Sequence, residues 1–480
     1  MGLIIFGRIA QAVFALLALR IVTTILSPEE MGRWSLLLAV TSFFVLGLVN
    51  PIGMFINRRL HTWVETGKIN QYMKYYVMYL IGISILAAIF LYGFNLFYVA
   101  VPGMPLPWVI ALVVSAIIFA TLNQTYTPSL NMLGHRGWFV LLTLVTVVVG
   151  LLLSVLLVYW LNAEAELWQA GQLLAQAVMA LVGGIIFFRF TKQQRKIDSS
   201  RESMAVNHTK VMLVFAFCWP LAISVLLTWV QGQSYRFLVQ DMIGLEALGL
   251  FVVGYGVSAS LIGVYESIIS TYFIPMFYKR TASEDKQEQA QAWHVYASAM
   301  FSSLLVTVAV IIAVSEEFAY VLLDEKFFQA SQYIMWGAFA EAARVIVGAY
   351  ALLAHAGMDT KKLIFPNILA AIAAPLFVYL LVQDWGVDGV GMGLALAGII
   401  AIASSHVALS RSFDVIMPWT ILLWTGLISL VLIVASEAGH SMLGASETFL
   451  ASLVWLCGTG VVLLFVLFVM LKTQIKREVV

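Results

Sequence analysis

The sequence predicts an all-α integral membrane protein with about fourteen transmembrane helices. Of its 480 residues, 62% are hydrophobic and only 11% are charged, whereas a soluble domain carries about 25% charged residues to cover its water-facing surface. The hydrophobic residues form long runs, and about 20 apolar residues are enough for a helix to cross the bilayer. Within these runs apolar and polar residues do not alternate, so the pattern indicates helices rather than the strands of a barrel.

Fourteen apolar segments follow one another along almost the whole chain, and each is long enough for a tilted span. Because the connections between them are short, the sequence leaves no room for a soluble catalytic domain. The predicted spans are 3–26, 34–56, 72–97, 108–130, 138–160, 167–188, 211–235, 247–275, 294–315, 331–354, 363–382, 387–409, 418–436 and 448–471.

The basic residues are divided unequally between the two sides of these spans. With the N-terminus inside, only Arg33, Arg236 and Lys326 fall in external connections. Arg20 and Arg344 lie within spans, and the other 21 of the 26 Lys and Arg residues lie in internal connections or near the termini. Because Lys and Arg accumulate in cytoplasmic loops, this bias predicts that both termini are cytoplasmic.

The chain divides into two halves of six spans each, followed by a C-terminal pair. We predict an N-lobe at residues 1–190 and a C-lobe at 211–410, joined by a basic cytoplasmic linker at 191–210. Two further spans and a cytoplasmic tail occupy residues 411–480.

The two halves show a weak internal repeat. Pro28–Ser35, at the start of the second span, corresponds to Leu245–Val252, and Leu130–Gly134 corresponds to Leu353–Gly357 after the fourth span of each half. Six spans return the chain to its starting side. We therefore expect lobes related by a pseudo-two-fold axis along the membrane normal, with substrate carried at their interface.

Four ionisable side chains fall deep inside predicted spans: Arg20, Glu266, Glu341 and Arg344. Such a charge costs about 2.5–3.5 kcal/mol on insertion scales, so it needs a partner or a polar cavity. Glu341 and Arg344 are three residues apart on one helix and can form a structural ion pair, or they can line a cavity where the arginine meets a phosphate. Arg20 either snorkels to the outer interface or offers its planar guanidinium to a diphosphate.

Glu266 lies in the eighth predicted span, about two thirds of the way inward. A carboxyl group buried alone favours its protonated form, which makes Glu266, with Glu341, a candidate for proton or sodium coupling. The alternative is a neutral acid that hydrogen-bonds a neighbouring helix.

Weaker candidates lie near the ends of two spans. Gln233 and Arg236 share a face of the seventh predicted helix, and Asn123 and Gln124 lie on the fourth. Their side chains can hydrogen-bond sugar hydroxyls, or they can serve as helix-to-helix contacts.

Several classes of function find no support in the sequence. A net charge of +1 gives no field that would attract nucleic acid. The GxxxxGK[ST] phosphate cradle is missing, so we expect an ion gradient, the membrane potential or consumption of product, rather than ATP, to supply energy. The seven histidines and two cysteines show no metal-ligand spacing, and we predict neither a metal nor a cofactor beyond coupling Na⁺ or H⁺.

Several short segments resemble the multidrug/oligosaccharidyl-lipid/polysaccharide (MOP) exporter superfamily, and within it the polysaccharide-type, O-antigen-like flippases. The resemblance covers about residues 1–410. It implies two six-helix bundles around a cavity that opens alternately to cytoplasm and periplasm, with arginines on the first helix for pyrophosphate. The matching segments are Leu26–Trp34, its echo Gly244–Gly249, Leu323–Phe327, the loops at Gly134 and Gly357, and Trp385–Gly391.

The resemblance also implies a substrate and a location. Similar proteins carry an undecaprenyl-diphosphate-linked oligosaccharide outward across a bacterial or archaeal inner membrane for surface polysaccharide synthesis, alongside a polymerase and chain-length proteins. A cation-coupled multidrug antiporter and a peptidoglycan-precursor flippase are the alternatives from the same superfamily. A membrane glycosyltransferase or polymerase would need a large external loop, and the acidic pairs Glu29-Glu30 and Asp324-Glu325 lie in short ones. We therefore predict that the protein is not an enzyme.

Overall fold

The computed structural model describes residues 2–193, 208–281, 286–357, 360–410, 415–443, 451–461 and 463. Within these residues the secondary structure is helical and no strand is present. Numbered in chain order, the long helices are α1 Gly2–Ile25, α2 Pro28–Glu65, α3 Ile69–Phe94, α4 Leu106–Met132, α5 Arg136–Trp160, α6 Ala165–Gln193, α7 His208–Met242, α8 Leu245–Thr281, α9 Lys286–Ala313, α10 Ser331–Ala356, α11 and α12 within Ile364–Ser410, α13 Trp419–Leu443 and α14 Ala451–Val461.

The predicted fold class is confirmed. Among the described residues, ten helical runs are long and apolar enough to cross a membrane, and one of them, Lys361–Ser410, holds both α11 and α12. Val13–Ile25 of α1 and Ala451–Val461 are shorter apolar helices. The chain is a multi-pass membrane protein. The predicted C-terminal tail, and most of the last predicted span beyond Val461, lie outside the described residues.

Two predicted boundaries need correction. Residues 194–207 of the predicted linker lie outside the described residues, but α6 continues to Gln193 and α7 already begins at His208. At its other end α7 continues to Met242, beyond the predicted end of the span at residue 235, so Arg236 lies within the helix. Hydropathy marks where a helix leaves the apolar layer. This helix ends only before Gly244, which has a φ of +122°.

The chain packs as two compact units. Unit 1 comprises Met1–Ala18 and Ile25–Trp229, and unit 2 comprises Leu19–Thr24 and Val230–Val480. In unit 1, α6 packs along α5 and also contacts α4. In unit 2, α10 packs against both α8 and the α11–α12 hairpin, while α13 packs against α9. The division between the units falls within α7 instead of in the linker.

The segments that suggested an internal repeat occupy equivalent places in the helices. Pro28–Ser35 forms the first turns of α2, and Leu245–Val252 forms the first turns of α8. Leu130–Gly134 spans the end of α4, and Leu353–Gly357 spans the end of α10. The correspondence found in the sequence therefore reflects shared helix boundaries.

The segment Trp385–Gly391 forms the tight turn between α11 and α12. Gly386 adopts φ +54° and ψ −134°, a backbone conformation that residues other than glycine rarely adopt. At Gly391 a Cβ atom would collide with the ring of Trp336 in α10. The Trp336 indole also donates a hydrogen bond to Asp388 Oδ1 at 3.2 Å. The motif thus attaches the hairpin to α10.

Candidate functional site

Three of the charged side chains predicted inside spans meet in unit 2. Arg344 Nε donates to Glu341 Oε2 at 2.7 Å, one turn earlier in α10. Arg344 Nη2 donates to Glu266 Oε2 of α8, also at 2.7 Å. We call Glu266, Glu341 and Arg344 the ion cluster. The pairing predicted within α10 is confirmed. Glu266 is not buried alone, because α8 packs against α10 and brings its carboxylate to Arg344.

A tyrosine that the sequence analysis did not single out, Tyr255, forms a second hydrogen bond with the Glu341 carboxylate. The Tyr255 hydroxyl, on α8, donates to Glu341 Oε1 at 2.5 Å, so both carboxylate oxygens are engaged. Tyr255 is uncharged and α8 is apolar around it. Only the packing of α8 on α10 reveals the contact.

The ion cluster is unequally exposed. The side chain of Glu341 is 9% exposed, that of Glu266 is 31% exposed and that of Arg344 is 49% exposed. Arg344 nevertheless lies midway along α10. An exposed charge in the middle of a membrane-spanning helix is costly against hydrocarbon, and its two carboxylate partners reduce that cost.

A second cationic side chain, that of Arg236, is linked to the ion cluster by contacts between aromatic rings. Arg236 donates from Nη1 to Gln233 Oε1, which confirms that the two residues share a face of α7. The Arg236 guanidinium lies 5.6 Å from the ring centroid of Tyr235. The Tyr235 ring is in turn 6.3 Å from that of Tyr255. The rings of Tyr235 and Tyr255 therefore connect Arg236 to Glu341.

Arg20 belongs to the stretch of α1 that is part of unit 2. Its Nη1 atom is buried and has no hydrogen-bond partner among the described residues. The following turn of α1 is fixed by the Leu323–Phe327 motif, since Lys326 Nζ donates to Thr24 O at 2.8 Å. An unsatisfied buried donor is costly, so a bound acceptor would stabilise this arrangement.

Asn123 and Gln124 both lie on α4 in unit 1, whereas the ion cluster, Gln233 and Arg236 belong to unit 2. Asn123 is buried and accepts a hydrogen bond from Thr127 at 3.2 Å. Gln124 is exposed on a different face of the helix. Their role as sugar ligands stays a prediction.

The Leu26–Trp34 motif makes structural contacts at the start of α2. Glu30 is buried, pairs with Arg33 and accepts a hydrogen bond from the backbone N–H of Ala165 at 2.8 Å. Arg33 Nε donates to Pro102 O at 3.2 Å. These bonds attach α2 to the first turn of α6 and to the α3–α4 connection. The motif therefore stabilises this end of unit 1.

In the part of the chain that the structure describes, no group of three or more His, Cys, Asp or Glu side chains could hold a metal ion.

The fold is that of MOP superfamily exporters, as the sequence predicted. The chain matches the structure entitled "Lipid II flippase MurJ, inward closed conformation" with a TM-score of 0.70 at 11% identity, over 100% of this chain and 99% of that chain. An inward-facing multidrug resistance MATE family transporter of the MOP superfamily matches with a TM-score of 0.60 at 12% identity, over 88% of this chain and 95% of that one. An outward-facing one matches with a TM-score of 0.54 at 14% identity, over 89% and 93%.

The sequence defines the family more narrowly. A family model described as "Polysaccharide biosynthesis protein" matches residues 1–281, and the chain belongs to this family. No curated protein sequence matches the chain significantly. The similar structures are those of transporters and flippases rather than enzymes.

Proposed function

We propose that the protein flips an undecaprenyl-diphosphate-linked oligosaccharide from the cytoplasmic to the outer leaflet by alternating access. The membrane is the inner membrane of a bacterium or archaeon, and the product is a surface polysaccharide such as O-antigen, capsule or exopolysaccharide. Membership of the polysaccharide biosynthesis family supports the substrate class. The bias of basic residues supports cytoplasmic termini.

The observation that carries this proposal is the buried, unpartnered Nη1 of Arg20. A guanidinium presents planar, paired donors that match phosphate oxygens. A diphosphate headgroup offers several such oxygens. The contact between Lys326 and Thr24 holds the adjacent turn of α1, so the guanidinium is attached to a fixed segment.

The ion cluster supplies a second cation and a route to ion coupling. Glu341 accepts from Nε of Arg344, and Glu266 accepts from Nη2. A phosphate that approaches the exposed Arg344 side chain competes with Glu266, which is held by one ion pair, more readily than with Glu341, which Tyr255 also holds. The released Glu266 then binds H⁺ or Na⁺. Exchange of partners at Arg344 would couple the lipid to the ion.

The ion cluster also gives the antiporter alternative some support. One arginine between two carboxylates leaves a net negative charge when both are ionised. Such a site attracts a cationic drug, which a multidrug antiporter would exchange for H⁺ or Na⁺. The likeness to a lipid II flippase keeps a peptidoglycan precursor as the alternative lipid substrate.

Complementation distinguishes these functions. In a strain that lacks its own flippase for a surface glycan, the wild-type chain should restore the glycan, and Arg20→Ala should abolish it at normal protein abundance. Arg136→Ala, which removes an exposed arginine at the start of α5, is the matched control and should restore it. Full surface glycan in both Arg20→Ala and Arg344→Ala would contradict the proposal, and restored drug resistance without glycan would favour the antiporter.

A further inference from the structure

Unit 1 contains an elongated cavity of about 810 Å³ between α2, α3 and α7. This volume lies within the range of about 300–1,000 Å³ that ligand sites usually have. The lining follows α2 from Gly47 to Trp63, which is about 24 Å of helix at 1.5 Å per residue. The cavity is therefore long enough for an extended chain.

The cavity lies beside a local irregularity of α2. Residues Val45–Val49 form a π-helical turn, and Pro51 follows two residues later, so the regular backbone hydrogen bonding is interrupted. The Tyr79 hydroxyl on α3 donates to Leu48 O at 2.7 Å. Cys218 Sγ on α7 donates to Pro51 O at 3.5 Å. Both neighbouring helices are thus held against the irregular part of α2, with the cavity beside it.

The cavity presents an apolar surface. The hydroxyl of Tyr79 is used by Leu48 O, and the Tyr75 hydroxyl accepts a hydrogen bond from Gln71 at 3.0 Å. The Tyr76 side chain is 4% exposed. The Tyr75 and Tyr79 hydroxyls are occupied by the protein, so the lining offers mainly ring faces and aliphatic groups. A hydrocarbon chain suits this lining better than a sugar or a free phosphate.

The cavity is open along one side. Tyr75, Phe215 and Trp219 all line it, and they remain 42%, 69% and 50% exposed. Large apolar residues at the surface of a membrane-spanning protein face lipid. A chain could therefore enter laterally from the bilayer.

Arg58 lies one aromatic ring away from the cavity lining. The Arg58 guanidinium lies 5.8 Å from the ring centroid of Phe217, and that ring lies 5.8 Å from Phe55, which lines the cavity. In the described parts of the chain, no carboxylate lies within 4.0 Å of the charged groups of Arg58, Arg59 or Lys74. The positive-inside bias places Arg58 at the cytoplasmic face, where an anionic headgroup would lie.

We infer that this cavity binds the isoprenoid chain of a polyprenyl phosphate lipid, with the phosphate at Arg58. The inference rests on the proposed function and adds to it a loading site for the lipid carrier in the cytoplasmic leaflet. An elongated, aromatic, laterally open cavity with Arg58 near its lining matches a single long chain that carries one phosphorylated terminus.

Photolabelling of the purified full-length chain tests this site. The probe is undecaprenyl phosphate with a photoreactive diazirine on its chain, in phosphatidylcholine nanodiscs. We expect crosslinks to peptides that contain Phe55, Tyr75 or Trp219, and competition by unlabelled undecaprenyl phosphate but not by phosphatidylglycerol. Ala222→Trp, which fills the cavity, should reduce labelling at least tenfold. Leu181→Trp, on an exposed face of α6 away from the lining, should leave it unchanged.

Arg58→Gln provides a second variant, because a bulky side chain in the cavity could lower folded yield. It should weaken labelling several-fold at a normal melting temperature. Full labelling in both Ala222→Trp and Arg58→Gln, or equal competition by phosphatidylglycerol, would overturn the inference. Surface glycan is scored separately in the complementation strain. If the wild-type chain restores glycan while these variants label fully, only the cavity site fails; if the wild-type chain restores none, the proposed function fails.

Discussion

Arg344 and Glu341 show which contacts of a single residue the sequence can predict. Their pairing follows from a spacing of three on one helix, which is local information. The Arg344 contact to Glu266 and the Tyr255 contact to Glu341 cross from α10 to α8, and no pattern within either helix encodes that packing. The sequence therefore identified the charges of the candidate site but not the way in which they neutralise one another.

Gly103 allows a prediction about the effect of a single substitution on stability. It lies in the α3–α4 connection with φ +82°, and an added Cβ would lie 2.6 Å from Arg33 Nε. The left-handed backbone alone costs a non-glycine residue about 1–2 kcal/mol, and the displaced Arg33 would lose Pro102. Gly103→Ala should therefore lower the melting temperature of the purified protein. Gly93→Ala, which has nothing within 4 Å, is the matched control, and equal melting temperatures for the two variants would contradict the account.

At the scale of elements, hydropathy located the helices but not all of their ends. The second span was predicted at 34–56, whereas α2 extends from Pro28 to Glu65. Its first turn carries Glu29 and Glu30, and its last turns carry Arg58 and Arg59, so both ends are polar. A search for apolar runs detects the part of a helix in lipid. Capping by Ser27 decides where the helix begins.

The close contact between α8 and α10 gives a prediction at this scale. A Cβ at Gly337 of α10 would lie 2.8 Å from Tyr255 Cα. Gly337→Val should push the helices apart and break the Tyr255–Glu341 bond, with a loss of about 1–3 kcal/mol of stability. Gly348→Val, on the same helix and with nothing within 4 Å, should melt close to wild type. A Gly337→Val protein as stable and active as Gly348→Val would show that this contact does not matter.

At the scale of the whole molecule, composition was sufficient to predict the all-helical membrane architecture, because 11% charged residues cannot cover a water-facing surface of this size. The division of the chain into two compact units was harder to predict from the sequence. It falls within α7 and assigns Leu19–Thr24 of α1 to unit 2. Such a division depends on which helices pack together, and loop composition does not report it.

Membrane topology can be tested on the intact protein. With Cys218 and Cys457 replaced by serine, a cysteine at the exposed Asn162, between α5 and α6, should react with a membrane-impermeant maleimide in intact cells. A cysteine at the exposed Glu65, at the end of α2, should react only after permeabilisation. The positive-inside bias sets this expectation. The reverse labelling pattern would place the termini outside.

A translocation assay on the purified protein measures whether Arg20 and Arg344 of unit 2 receive a diphosphate-linked glycan. Proteoliposomes would carry a fluorescent undecaprenyl-diphosphate-linked oligosaccharide, and its movement between leaflets would be followed by quenching from outside. Loss of a charge-assisted hydrogen bond, worth about 1.5–3 kcal/mol, predicts a flipping rate at least about tenfold lower for Arg20→Ala than for wild type. Arg20→Lys should retain part of the rate. A wild-type rate in Arg20→Ala proteoliposomes would contradict the account.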